Sequence, residues 1–365
     1  MKKIALLTIH LGSNFGSILQ TIASMEVFKM YGYKTIVINY IPDRCTWKRF
    51  FSTHINNFVF FLKMFIAFPL EMINKRIYNS YLAKYTNLSK SIYSRDNFLD
   101  VCPKADIYIT GSDQVWNSVH NECLDRRYYF DGFPKDTIKI AYSSSIGREK
   151  LDPDEYIEVK RMLGSYKAIS VREASAKQII ESMGYKAIHL LDPTFMLNKE
   201  EWGKYSSERI VKVPYLLVYI PYNIHNKQLI YTTARKIADE KGLKIVTFSW
   251  SIRPDKFADK TIYFANPGDF LSLMEYADYV VTNSFHGTAF SINLNKQFSV
   301  YLPTGFGTRI ISVLELCSLT QRLLKADEII SKEKMNEVID YQPVNKRLDE
   351  ERMKTYAFLN EALNN

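Results

Sequence analysis

Short apolar and β-branched runs alternate along the chain with stretches whose apolar residues recur every third or fourth position. This is the pattern of parallel strands joined by crossover helices. Residues 4–9 (IALLTI) read as a first strand. A Gly/Ser/Asn loop follows, then a helix over 17–31 in which Ile18, Leu19, Ile22 and Met25 share a face and Gly32 is placed to end it. Strands are predicted at 35–40, 106–110 (DIYIT), 138–143 (IKIAYS), 168–171 and 188–191, with a helix over 173–183. Asp192-Pro193-Thr194 then breaks the alternation, because a residue before proline is pushed out of the helical region.

The second half resumes with strands at 215–220, 243–248 and 278–282, helices at 227–241 and 267–276, and further helices after His286, Thr308 and Asp327. Residues 345–363 form a charged helix whose predicted buried face is Leu348, Met353, Tyr356, Leu359 and Leu363. No repeat relates the halves, yet both are the same kind of layer. The fold class is therefore α/β with two domains, 1–195 and 196–340, followed by a terminal helix, 341–365. Ligands of such sheets bind beyond the carboxyl ends of the strands, so the loops there are where chemistry belongs.

One segment departs from this pattern. Residues 55–73 (INNFVFFLKMFIAFPLEMI) are nearly all apolar but are interrupted by Lys63, Pro69 and Glu71 and flanked by Arg44, Lys48, Arg49, Lys75 and Arg76. A spanning helix needs about 20 predominantly apolar residues, so this run is marginal. Three readings stand: a helix packed on the protein's own core, one lying in a membrane interface, and a true span.

Across 365 residues, 48 Lys and Arg against 39 Asp and Glu leave a net charge of +9, with 47% hydrophobic and 24% charged residues. These are globular values, and the excess of positive charge suits anionic partners such as phosphorylated small molecules or anionic lipid. The basic residues are scattered and no long basic tract reads as a nucleic-acid tail, but on charge alone nucleic acid stays open beside the other two. Cys45, Cys102, Cys123 and Cys317 are far apart and form no C-x-x-C pair, which argues against a zinc site and a disulfide framework and fits a reducing, cytoplasmic setting. The apolar run at 4–9 is too short for a signal peptide.

Four loops carry candidate chemistry. His10-Leu11-Gly12-Ser13-Asn14-Phe15-Gly16-Ser17 joins the first strand to the first helix, and is either a tight turn or a loop whose backbone approaches a ligand through Asn14 and Gly16. It matches neither G-x-G-x-x-G nor a P-loop. In Thr110-Gly111-Ser112-Asp113-Gln114-Val115-Trp116-Asn117, a carboxylate, two amides and an indole face suit a sugar. The bland reading has Asp113 capping a helix and Trp116 packing the core. Ser170-Val171-Arg172-Glu173 sets an Arg at a strand end, where its fork can grip a carboxylate or phosphate or pair locally with Glu173. In Asn283-Ser284-Phe285-His286-Gly287-Thr288, a histidine between strand and helix can protonate a substrate or bind phosphate. No second His lies near enough to suggest a metal.

Taken in order, the Gly-Ser-Asn-Phe-Gly-Ser loop before the Gln20-containing helix, residues 111–117, 170–173, Leu191-Asp192-Pro193-Thr194 and Ser284-Phe285-His286-Gly287 resemble the polysaccharide pyruvyl transferase family from residue 1 to about 325. The resemblance implies two Rossmann-like domains similar to B-type glycosyltransferases, with the active site in the interdomain cleft and the terminal helix returning toward the first domain. It implies transfer of pyruvate from phosphoenolpyruvate to sugar hydroxyls as a cyclic ketal on bacterial surface polysaccharides or their lipid-linked precursors. Arg172 and His286 match the family's donor-handling Arg and His, joined at the donor by Ser284 and Gly287. Asp113 is the expected base, and Asn14, Gly16, Asp113, Gln114, Trp116 and Asn117 the acceptor side. Phosphoenolpyruvate is a co-substrate, and no cofactor, metal or nucleic-acid partner is expected. An acceptor carried on polyprenyl diphosphate would bring the enzyme to the inner face of the plasma membrane. The competing readings are a B-type glycosyltransferase using a nucleotide sugar and a non-catalytic saccharide- or lipid-binding protein.

Overall fold

The computed structural model describes residues 2–12, 14–46, 58–94, 96–222, 227–250, 252–304 and 307–364, excepting the side chains of 58–67. Ser13, Lys48, Arg49 and the start of the apolar run, which figured in the sequence reading, lie outside the described residues. The chain divides into two compact units, Met1–Met196 with Met353–Asn365, and Leu197–Arg352.

In the first unit, β1 (Lys3–Leu7), β2 (Lys34–Val37), β5 (Ile107–Thr110), β6 (Lys139–Ser144), β7 (Ala168–Val171) and β8 (Ile188–His189) form a parallel sheet in the order β2-β1-β5-β6-β7-β8. Ile4 is in register with both Thr35 and Ile107, and Ile109 with Ile140. The strands are buried almost end to end, as in parallel sheets covered on both faces. The strand expected at 35–40 is instead two pieces: it leaves the sheet after Val37, and β3 (Tyr40–Ile41) pairs separately with β4 (Ile92–Tyr93). Because β1 leads to β2 on one side and the sheet resumes with β5 on the other, the strand order reverses between β1 and β5.

The second unit repeats the plan. β9 (Tyr215–Tyr219), β10 (Lys244–Ser249), β11 (Lys260–Tyr263), β12 (Tyr279–Thr282), β13 (Gln297–Tyr301) and β14 (Leu323–Leu324) run parallel in the order β11-β10-β9-β12-β13-β14. The reversal falls between β9 and β12. β11, β13 and β14 escaped the sequence reading: β11 and β14 are short or half exposed, and β13 (QFSVY) alternates polar and apolar residues although its last four are buried.

Asn14 Oδ1 accepts from Gly16 N at 3.0 Å and caps the helix Phe15–Met30, which Gly32, at φ 76°, follows. The apolar run belongs to a helix, Phe58–Tyr85, that continues past Ile73. Asn74, Tyr78 and Leu82 are buried at every fourth position, and the Tyr78 ring stacks on Phe15 at 5.4 Å. Among the described residues no helix is long and apolar enough to cross a membrane. In the terminal helix, Tyr341–Asn364, Leu348, Phe358, Leu359, Ala362 and Leu363 are buried, but Met353 is 66% exposed, correcting its place on the buried face. It lies five residues beyond Leu348, on the opposite side of the helix. Within the first unit this helix is held by Tyr31 Oη donating to Tyr356 O at 3.1 Å and Tyr33 Oη to Leu363 O at 2.9 Å.

Candidate active site

Each sheet presents a loop cluster at its reversal point. In the first unit the chain leaves β5 through Gly111, where a Cβ would come within 2.8 Å of Leu6 Cδ1 and 2.9 Å of Thr8 Cβ, so only glycine lets the loop lie this close to β1. Asp113 follows with φ 74°, a left-handed conformation that costs a non-glycine residue about 1 kcal/mol or more. The conformation sends its carboxylate into the interior. Oδ2 accepts from Ser17 Oγ at 2.5 Å, and Oδ1 accepts from its neighbour Gln114 N at 2.9 Å and from Arg172 Nη2 at 3.1 Å.

Arg172, at the end of β7, is the hub of this network. Its side chain is 0% exposed, and Nη1 donates to Asp192 Oδ2 at 2.7 Å, where Ser112 Oγ also donates at 2.8 Å. Asp192 Oδ1 accepts from Thr194 N and Oγ1, at 3.0 and 2.7 Å, which explains the Asp-Pro-Thr motif. Burial works against the guanidinium's charge, but Asp192, Asp113 and Glu173 more than offset it and hold its pKa above the usual arginine value. Glu173 turns its Oε1 to Ser145 Oγ, Ile146 N and Gly147 N, at 3.1, 2.8 and 2.9 Å. The Arg172 fork, expected at an anionic donor, rests at both ends on carboxylates of its own unit. Asp192 and Glu173, which stood in the sequence motifs but not among the expected site residues, complete the arrangement.

Of the remaining acceptor-side candidates, all but Asn14 are also interior. Trp116 is 1% exposed, stacked on Tyr129 at 5.4 Å, with Nε1 donating to Tyr128 O at 3.2 Å. Its reading as a sugar platform is corrected, since both a face and the polar edge serve the core. Asn117, not Asp113, caps the following short helix through His120 N at 3.0 Å, and its Nδ2 donates to Gln114 Oε1 at 2.8 Å. Gly16 is buried within its helix, and Asn14 is half-buried at its cap. His10 is also fully buried, between Thr8 O at 3.0 Å and Asn39 Oδ1 at 3.2 Å, and burial lowers its pKa.

In the second unit β12 ends at Thr282, whose Oγ1 donates to Tyr219 O at 2.6 Å and accepts from Ser284 N at 3.0 Å. Ser284 Oγ then caps the helix Phe285–Asn293 by accepting from Gly287 N at 3.3 Å. A Cβ on Gly287 would fall onto Thr282 Oγ1 and within 3.1 Å of Tyr219 Cδ1, so glycine lets the first turn settle between β9 and β12. His286 is thereby fixed in that turn, buried, edge-on to Phe285 at 5.1 Å. Arg309, in the helix Thr308–Leu316, is equally buried, with its guanidinium 5.6 Å from the Phe285 ring centroid. The sequence reading missed it. Its signal was an Arg opening a helix just after a Pro/Gly-rich loop. Arg172 belongs to the first unit and His286 to the second. Among the described residues no group of three or more His, Cys, Asp or Glu side chains is disposed to hold a metal ion.

Comparison with known proteins bears on these loops. A profile of the family described as polysaccharide pyruvyl transferase matches residues 14–302. No curated protein matches the chain. Among solved structures, UDP-GlcNAc 2-epimerase from Methanocaldococcus jannaschii is similar with a TM-score of 0.57 at 11% identity, over 97% of this chain and 99% of that one. A second UDP-N-acetylglucosamine 2-epimerase has a TM-score of 0.56 at 9% identity, over 100% of this chain and 97% of the other. At these identities the likeness concerns fold, that of two Rossmann-like α/β domains as in B-type glycosyltransferases.

Proposed function

Because this chain belongs to the polysaccharide pyruvyl transferase family, we propose that it moves pyruvate from phosphoenolpyruvate onto two hydroxyls of a sugar and closes a cyclic ketal, with no redox cofactor or metal. The observation that carries this reading is the placement of His286: a buried imidazole in the first turn of a helix at the β9/β12 reversal, locked by Ser284 and Gly287, with Arg309 packed on the adjacent Phe285. Such a group delivers a proton to one fixed point.

Phosphoenolpyruvate is electron-rich at C3. In its protonated form His286 gives a proton to C3, and C2 becomes electrophilic. One acceptor hydroxyl adds to C2 and its proton returns to the imidazole. The C2–O bond to phosphate breaks, leaving an oxocarbenium ion. The second hydroxyl adds there, and its proton leaves with the phosphate. Arg309 supplies the positive charge that holds the donor's carboxylate or phosphate. Asp113 is a positioning residue in this reading: Arg172 and Ser17 hold it rigid, and it shapes the β1/β5 loops.

The acceptor is a bacterial surface saccharide or its polyprenyl-linked precursor, met through peripheral contact at an anionic membrane. Support comes from the apolar run of the helix Phe58–Tyr85, its basic flanks, and the exposure of Met72 (49%) and Ile73 (45%). The test is incubation with phosphoenolpyruvate and candidate sugars, read by phosphate release and by mass spectrometry. Ketal product with equimolar phosphate supports the reading. Release of a nucleoside diphosphate from a nucleotide sugar instead assigns a glycosyltransferase.

A further inference from the structure

The second unit holds a cavity of about 440 Å³ at the carboxyl ends of β9 and β10, lined by Tyr219, Lys227, Tyr231, Trp250, Arg253 and Asp255, among others. We propose that this cavity is the acceptor subsite and that it takes a saccharide bearing a phosphate or diphosphate. The inference rests on the function proposed above and names where that reaction's second substrate sits.

Its size suits one or two sugar rings. Its chemistry suits their hydroxyls: Asp255 Oδ2 accepts from Lys227 Nζ at 3.0 Å and from Tyr231 Oη at 2.9 Å, fixing a carboxylate, an ammonium and a phenol in one wall. Burial works against the Asp255 charge, but Phe257 N, Lys227 and Tyr231 hold its pKa below the usual carboxylate value, so it is an ionised acceptor at neutral pH. Tyr231 Oη also reaches Thr247 Oγ1 at 3.2 Å, which sets the direction of that phenol. The half-buried Trp250 supplies the aromatic surface a sugar's carbon skeleton needs. Lys227 and Arg253 bring positive charge to the wall beside the Asp255 carboxylate, which suits a phosphate.

Position ties the cavity to the reaction. Tyr219 lines it, and the same residue's carbonyl accepts from Thr282 Oγ1 while its ring flanks Gly287. One strand end thus separates the cavity from the His286 turn. By contrast, Gln114, Trp116 and Asn117 of the first unit, where the acceptor was expected, are spent on one another and on the core.

The experiment uses the full chain with a panel of hexose 1-phosphates (glucose, galactose, mannose, N-acetylglucosamine), the parent sugars, inorganic phosphate, UDP and UDP-glucose. Binding is read by saturation-transfer NMR and calorimetry, and phosphoenolpyruvate binding is measured on the same samples. At least one hexose 1-phosphate should bind roughly tenfold more tightly than its sugar or inorganic phosphate alone, a ratio one charged contact can supply. Trp250→Ala should weaken it by about tenfold or more. Arg253→Glu, at an exposed position where folding is not at stake, should do the same, and both variants should keep wild-type phosphoenolpyruvate binding and melting temperature. The inference is overturned if no sugar phosphate binds, if both variants bind it as the wild type does, or if UDP alone competes as well as UDP-glucose. Failure of the wild type to bind phosphoenolpyruvate would sink the proposed reaction while leaving a variant-sensitive sugar-phosphate site standing.

Discussion

Arg172 Nη2 donates to Asp113 Oδ1 at 3.1 Å, tying the end of β7 to the end of β5 across the intervening β6. With Nη1 on Asp192 the guanidinium is fully enclosed, so its removal strands two buried carboxylates. Arg172→Ala should cost about 3–5 kcal/mol, measured by urea unfolding. Arg172→Lys should recover little of it, because a single ammonium cannot span both carboxylates in the fork's geometry. A stable Arg172→Ala protein that has lost phosphoenolpyruvate affinity would return this residue to the donor site.

His286→Gln should lower kcat by about 10²- to 10⁴-fold with a small change in melting temperature, since glutamine keeps some of the shape and loses the transferable proton. Arg309→Gln should act mainly on phosphoenolpyruvate affinity. Steady-state kinetics with saturating acceptor separates the two, and equal losses in kcat from both would contradict the division of roles.

Gly287→Ala forces a methyl group against Thr282 and Tyr219. The expected cost is about 1–3 kcal/mol, together with reduced turnover as the first helical turn lifts from the sheet. Unchanged stability on denaturant melts would mean that the close approach at this turn is not a constraint.

Burial lowers the folded-state pKa of His10, while in the unfolded chain it titrates near 6.5. The unfolded state therefore binds the proton first. The stabilisation is present above pH 6.5 and is lost as pH falls from there through the folded value, by at most about 1.4 kcal/mol per pH unit. Urea melts at stepped pH on wild type and His10→Gln should show this slope in the wild type only.

Membrane contact predicts salt-sensitive flotation with anionic liposomes, each basic flank residue near the surface contributing about 1 kcal/mol. Charged substitutions at Phe61 and Phe65 should reduce it without altering the melting temperature. Equal recovery in the unbound fraction with and without vesicles would assign the apolar run to the protein itself.

Features that depend on near neighbours along the chain were legible before any folding. Continuous apolar runs such as IALLTI and DYVVT, recurring between helical stretches, specify buried parallel strands because that pattern is local, and the order of the loop motifs points to the family. The caps at Asn14 and Ser284 are equally local, each within three residues of the N–H it accepts from, although the sequence reading had assigned both residues to ligands. The partners of each side chain came from the assembled fold. Whether Arg172 faces a ligand or a carboxylate depends on Asp113, 59 residues away, and Asp192, 20 residues away, which sheet order alone brings together. Trp116 reads equally well as platform or core until Tyr128 and Tyr129 close over it. Arg309 gains meaning only where its helix packs on Phe285. Burial and ion pairing are properties of assembled elements, and no local pattern encodes which strand ends will meet.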